Sequence, residues 1–281
     1  MCVHVGGNTP PSEFDKMLID TVDCGDCAEL LGKLPEDCVD LTVTSPPYGA
    51  LRDYKGFQFD YKEIAQQLFR VTKQGGVVVW VVGDETIGGS ESLTSFKQAI
   101  YFVEECKFRL HDTMFYRKAG FQFPFPNRYH QVIEYMFVFS QGAPKTFNPL
   151  VDRKNKWTGP TSGRLKREKD GTQTRRNHFA RQEYGKRENI WEYLTGRGNS
   201  TNDDFAFQHP AIFPEGLARD HILSWSNPGD LVLDPFSGSG TTLKMAKALG
   251  RHWLGFDISE EYCELSRRRV NSISVPLIVS G

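Results

Sequence analysis

The sequence predicts an α/β fold built on a mostly parallel sheet. Three observations carry this reading: short strands alternate with amphipathic helices over most of the chain, one strand is apolar throughout, and a late strand runs through a glycine-rich turn into a helix. A length of 281 residues suits one large domain with an insertion.

The first organised stretch covers residues 19–43. Within it DCVDLTVT is a short buried strand, because Val39, Leu41 and Val43 alternate with smaller or polar residues and a turn cluster follows Thr44. Residues 60–72 place Ile64, Leu68 and Val71 on one helical face, and Gly75-Gly76 is expected to stop that helix. The β-branched run 77–82 reads as a strand covered on both faces. Residues 92–106 read as a helix, and 110–117 and 131–139 as strands. The stretch 145–202 is polar, basic and glycine-punctuated, without clear periodicity, and reads as an insertion or partly mobile subdomain. Order returns with a helix at 217–225, a strand at 231–233, a helix at 241–249, a strand at 252–256 and a terminal helix at 259–270 capped by Ser259.

Net charge is −1, but its distribution is uneven. From Arg153 to Arg187 there are twelve Lys and Arg against three acidic residues, a local charge of +9, so the remainder carries about −10. That asymmetry points to an acidic ligand met by one region. The six cysteines show no disulfide framework, and the single C-x-x-C at Cys24 and Cys27 lacks the second pair of a zinc ribbon, so reduced thiols and no metal are expected. No apolar run approaches the roughly 20 residues that span a bilayer, and MCVHVGGNTP has no secretory pattern. The expectation is a soluble, cytoplasmic protein.

Two motifs carry chemistry. LVLDPFSGSGTT, residues 231–242, leads from a buried strand through Gly238 and Gly240 into a helix. Ligands of open α/β sheets lie at such strand ends, and glycines let backbone approach them closely. The turn has no Gly-Lys-Ser/Thr ending and departs from G-x-G-x-x-G, so it is not a phosphate loop. Asp257, seventeen residues after Gly240 at the end of WLGFD, is placed to accept hydrogen bonds from a ribose diol. Together they indicate an adenosyl ligand. The second motif is TSPPYG, residues 44–49. Its prolines remove two amide donors and leave acceptors aimed outward; Ser45 Oγ and the Pro46 carbonyl suit an amino group, and Tyr48 suits an aromatic base.

The tetrad Ser45-Pro46-Pro47-Tyr48 and the loop Phe236-Ser237-Gly238-Ser239-Gly240 resemble the two signatures of DNA amino-methyltransferases, (D/N/S)-P-P-Y and F-x-G-x-G. With the tetrad first and the basic insertion between them, the order is similar to the permuted beta class. His209-Pro210-Ala211-Ile212-Phe213-Pro214 resembles that family's cofactor-pocket segment, and Gly75-Gly76 with Gly83-Asp84 resembles the strand after its catalytic loop. The resemblance covers most of residues 20–270 outside the insertion.

It implies a Rossmann-like methyltransferase fold with one antiparallel strand and S-adenosylmethionine as cofactor. Residues 1–144 would form the catalytic half, 145–205 a basic target-recognition insertion and 206–281 the cofactor-binding half. The target base of double-stranded DNA would be flipped out, its amine held by Ser45 and Pro46 and its ring by Pro47 and Tyr48, and methylated by direct in-line transfer. Cofactor contacts would come from Asp234, Phe236, Ser237, Gly238, Gly240, Thr241, Asp257, Phe213 and Pro214. DNA contacts would come from Arg164, Lys166, Arg167, Arg175, Arg176 and Arg181. Residues 120–129 border the flipped base or cover the core. A serine-led tetrad is more typical of cytosine N4 than adenine N6, and both remain open. RNA and protein-glutamine methyltransferases carry related tetrads, but there the glycine loop usually comes first. Carbon-5 methylation is disfavoured, since no Pro-Cys dipeptide occurs. A cognate restriction endonuclease and a second copy of the chain are the further partners implied.

Overall fold

The computed structural model describes residues 19–47, 60–119, 127–160, 165–175, 180–209 and 211–273. Two compact units divide the chain, one of residues 1–148 with 190–281 and one of residues 149–189.

In the first unit eight strands form one sheet: β1 (Thr21–Cys24), β2 (Val39–Thr44), β3 (Thr72–Val82), β4 (Arg109–Ala119), β5 (Ile133–Ser140), β6 (Ile190–Leu194), β7 (Leu231–Asp234) and β8 (His252–Asp257). Their spatial order is β1-β8-β7-β2-β3-β5-β4-β6. Every neighbouring pair is parallel except those made by β5, which runs antiparallel to both β3 and β4. The expected mostly parallel sheet with one antiparallel strand is therefore observed.

Helices α1 (Cys27–Gly32), α2 (Tyr61–Val71) and α3 (Thr94–Glu104) cover one face. Ile64, Ala65 and Leu68 of α2 and Phe102 of α3 meet Val78, Trp80 and Val82, the alternate residues of β3. Trp80 is fully buried and donates Nε1–H to Gln98 Oε1 at 2.8 Å, which satisfies its one polar atom. Helices α4 (Glu215–Trp225), α5 (Thr241–Ala248) and α6 (Glu260–Asn271) pack on one another and on the sheet. Covered on both sides, β3 carries a continuous apolar run from Val77 to Val82, and β2 is buried along nearly its whole length although its apolar residues alternate with Asp40, Thr42 and Thr44. Among the described residues no helix is long and apolar enough to cross a membrane.

Several expectations need correction. Helix α2 ends at Val71, not at the glycine pair, and β3 begins at once with Thr72. Gly75, with φ of +81°, lies inside the strand, where a Cβ would collide with the Lys145 side chain; it permits close approach of the 141–145 segment. Ser259 occupies the N-cap of α6 but its side chain makes no cap hydrogen bond; its N–H donates to Asp257. Residues 190–194, read as part of an aperiodic stretch, are strand β6.

Among the described residues the second unit holds three short antiparallel ladders, pairing 153–154 with 184–185, 159–160 with 180–181, and 165–167 with 173–175. The first is flanked by ion pairs of Arg187 with Asp152 and Arg153 with Glu188.

A four-residue ion network anchors the glycine loop. Lys244 Nζ lies 2.7 Å from Asp203 and 2.8 Å from Glu215, and Arg269 lies 2.9 Å and 2.6 Å from the same two carboxylates. Arg269, 0% exposed, also donates to Ser239 O at 3.2 Å and Thr241 Oγ1 at 2.9 Å. Burial by itself would raise both acids, but the hydrogen bonds and charge of Lys244 and Arg269 hold them below the usual carboxylate range. Removing one member of such a set leaves charge buried and unmatched. Arg269→Met is expected to lose about 3 kcal/mol of stability, read by urea unfolding with an unchanged m value.

Candidate active site

Parallel pairing brings the carboxyl ends of β1, β8, β7 and β2 to one edge, the edge where open α/β sheets bind ligands. Because β5 runs the other way, its first residues reach the same edge as the ends of β3 and β4.

The loop after β7 is folded by its glycines and by Asp257. Gly238 and Gly240 have φ of +49° and +77°, a region that disfavours side chains. A Cβ on Gly238 would also lie 2.9 Å from His209 Nε2. Asp257 receives Gly238 N–H on Oδ2 and Ser259 N–H on Oδ1, each at 2.9 Å. A carboxylate accepts about four hydrogen bonds, so these two do not exhaust it.

A second carboxylate ties the loop to the tetrad strand. Asp234, 1% exposed, accepts Thr44 Oγ1–H at 2.7 Å and Phe236 N–H at 3.1 Å. Thr242 Oγ1 donates to Val43 O at 3.0 Å, a second tie between the same two segments. Burial pushes the Asp234 carboxyl up to about 6, against the lowering effect of these donors.

Between these elements lies a cavity of about 620 Å³. Ser45, Pro46 and Pro47 line it together with Phe236, Ser237, Gly238, Thr241, Asp257 and Phe213. The two sequence motifs thus share one space. Asp234 lies buried beneath the loop instead of on the cavity wall, Gly240 serves as the N-cap of α5, and Pro214 as the N-cap of α4. Tyr48, Arg164, Arg176, Pro210 and the segment 120–126 lie outside the described residues. Of the remaining basic residues, Lys166 and Arg167 sit on one strand of the 165–167 ladder, Arg175 on its partner, and Arg181 on the 159–160 ladder.

Sequence reasoning missed several residues of the cavity wall. Asp26, whose carboxylate caps α1 by accepting Ala28 N–H at 2.9 Å, stands there beside Gly25 and Cys27. The Asp-x-x-x before an apolar helix was a cap signal in the sequence. Tyr116, Lys118, Glu134 and Tyr262 also line it; Tyr262 meets edge-on, with centroids 4.4 Å apart, the ring of His209, which the sequence had placed in the cofactor-pocket segment. Tyr116, Lys118 and Glu134 had no local motif to mark them.

The sheet order, its single antiparallel strand and the cavity at its carboxyl edge define the class: a methyltransferase-type α/β fold. The profile of the N6/N4 DNA methylase family matches residues 39–268, and the chain belongs to that family. It is 56% identical over 241 residues to the orphan methyltransferase M.BamHII of Bacillus amyloliquefaciens, covering 84% of this chain and 90% of that one. It is 31% identical over 261 residues to the DNA adenine methyltransferase YhdJ of Escherichia coli, covering 90% and 83%. Its fold matches a Thermus thermophilus protein assigned as a DNA modification methylase, solved in complex with S-adenosyl-L-methionine, with a TM-score of 0.61, 25% identity and coverage of 91% and 94%.

Asp234 gives a pH test of this architecture. Its folded pKa of about 6 lies above the ordinary 3.8, so between these values the folded chain binds more protons than the unfolded one. Stability from this group is therefore fully present below the ordinary value and falls as pH rises to about 6, by about 3 kcal/mol in all. Asp234→Asn does not titrate. Chemical unfolding should show wild type losing about 2 kcal/mol relative to this variant between pH 4 and pH 7; a pH-independent difference would contradict the assignment.

Proposed function

We propose that this DNA methylase transfers a methyl group from S-adenosylmethionine to the exocyclic N4 of cytosine in double-stranded DNA. The observation that carries the reading is the shared cavity: amine acceptors at Ser45 and Pro46 on one wall, and the glycine loop with Asp257 on another.

The residues present fit the cofactor. Asp257 offers a carboxylate fixed by two backbone donors for a ribose diol, Phe236, Phe213 and Ile258 offer apolar surface for an adenine, and Gly238 leaves backbone bare where a side chain would collide with His209. When bound, the cofactor supplies an electrophilic methyl on a sulfonium. The chain's part is to present the nucleophile. Ser45 Oγ and the Pro46 carbonyl accept the amine hydrogens and draw the nitrogen toward sp³ geometry, so that its lone pair projects into the cavity. An amine within a duplex is paired, so the base must leave the stack to reach this site. Tyr48 is assigned the stacking role by the tetrad. An exocyclic amine is a weak nucleophile, and positioning with electrostatics supplies the acceleration without a covalent enzyme intermediate.

DNA contact is assigned to the basic unit, whose Arg164, Lys166, Arg167, Arg175, Arg176 and Arg181 supply phosphate and base-edge donors. A cognate restriction endonuclease and a second copy of the chain are the further partners this reading carries.

The serine at the head of the tetrad favours cytosine N4. The E. coli adenine-directed relative favours a second reading, adenine N6, with the same site and chemistry. Purified protein incubated with labelled S-adenosylmethionine and mixed-sequence duplex DNA, followed by digestion to nucleosides and chromatography, separates them. N4-methylcytosine is the expected product. N6-methyladenine would transfer the assignment to the second reading, and cofactor binding without label in DNA would overturn both.

A further inference from the structure

Part of the cavity wall belongs to β4 and β5, and the chemistry above does not use it. Tyr116 and Lys118 lie two residues apart on β4, and Glu134 is the cross-strand partner of Tyr116 on β5, so the three side chains share one face of the sheet. Lys118 Nζ is ion-paired with Glu134 Oε1. Glu134 is 8% exposed and Tyr116 2%, so the ammonium is held against a nearly buried carboxylate. The Tyr116 hydroxyl is buried and has no hydrogen-bond partner among the described residues.

A buried hydroxyl left without a partner is a cost that native structures rarely keep without reason. Here it belongs to a residue of the cavity wall, in a site that must grip a polar ring. Burial and the neighbouring Glu134 charge push the phenol well above its usual range, so it remains an O–H donor at neutral pH.

The other wall leaves a chemical need unmet. Ser45 Oγ and the Pro46 carbonyl accept from an amine, but an amino-pyrimidine edge continues past the amine with acceptors, first a ring nitrogen and then a carbonyl oxygen. Lysine and tyrosine are donors. We propose that Lys118 and Tyr116 read this acceptor edge of the target base, and that Glu134 is a positioning residue that fixes the ammonium. Two donors match the two acceptors of cytosine, N3 and O2. Adenine offers N1 and then a C–H. The inference rests on the assignment of the cavity to base methylation and adds to it the residues that select the ring.

The test uses the full chain, labelled S-adenosylmethionine and mixed-sequence duplex DNA, with cofactor affinity measured separately by equilibrium titration. Lys118→Met is expected to lower kcat/KM for DNA about 30-fold and Tyr116→Phe about fivefold, as losses of a charged and a neutral hydrogen bond. Cofactor Kd should stay within about twofold in both, as the lost contacts lie on the base. Lys118→Arg should recover part of the loss. Tyr116→Phe, which removes an unpartnered hydroxyl, should melt no lower than wild type. Because Lys118→Met removes the ammonium beside the nearly buried Glu134, the double variant Lys118→Met with Glu134→Gln provides a folded counterpart and should show the same loss. Wild-type labelling of DNA with all variants at wild-type kcat/KM would overturn this inference alone, as would losses matched by weaker cofactor binding. A wild-type protein that labels no DNA would overturn the function beneath it.

Discussion

Of two hydrogen bonds that tie the two halves of the chemistry, the shorter ends on a buried carboxylate. Thr44 Oγ1 donates to Asp234 Oδ1 at 2.7 Å, linking residues 190 positions apart in the chain. One carries the tetrad on its next residue; the other begins the glycine loop. The contact exists because β2 and β7 are parallel neighbours, so their carboxyl ends stop side by side. Its setting makes it demanding: a carboxylate nearly out of water needs donors, and Thr44 and Phe236 N–H provide them. With that junction fixed, Ser45 and Phe236 face one cavity, and distance between amine and cofactor follows from backbone geometry instead of flexible side chains.

Around the junction lie two further constraints. Asp257 folds the loop from one side through Gly238 and Ser259 N–H, while Arg269, itself held by Asp203 and Glu215, reaches Ser239 and Thr241 from the other. The loop is thus braced by residues from β8, α6 and the segment before α4. This bracing explains how a permuted order, tetrad before loop, is compatible with the site. What matters is which strand ends are neighbours in the sheet, and β2 lies beside β7 whichever comes first in the chain.

Much of this was legible in the sequence because it rests on local pattern. The apolar run of β3, the helical face of Ile64, Leu68 and Val71, the glycines of the loop and the acid ending β8 each carry their meaning within a few residues. What escaped depends on pairing. Ile190–Leu194 reads with the aperiodic stretch although Ile, Trp and Tyr favour strands; with only Trp191 buried, it is held by pairing with β4 over its full length. The ladders of residues 149–189 are two or three residues long, too short to carry an alternation that can be read. Asp234 was expected at the cofactor, but the fold gives its carboxylate to Thr44 beneath the loop. Tyr116, Lys118 and Glu134 meet only because an antiparallel strand returns beside β4.

On this geometry the Thr44–Asp234 contact sets the alignment of amine and methyl. Thr44→Val keeps shape and removes the donor. Measured as a single-turnover rate with saturating DNA and S-adenosylmethionine, methyl transfer should slow about tenfold or more, because small misplacements of reacting groups are expensive, while cofactor Kd changes little. An unchanged transfer rate in a folded variant would contradict it.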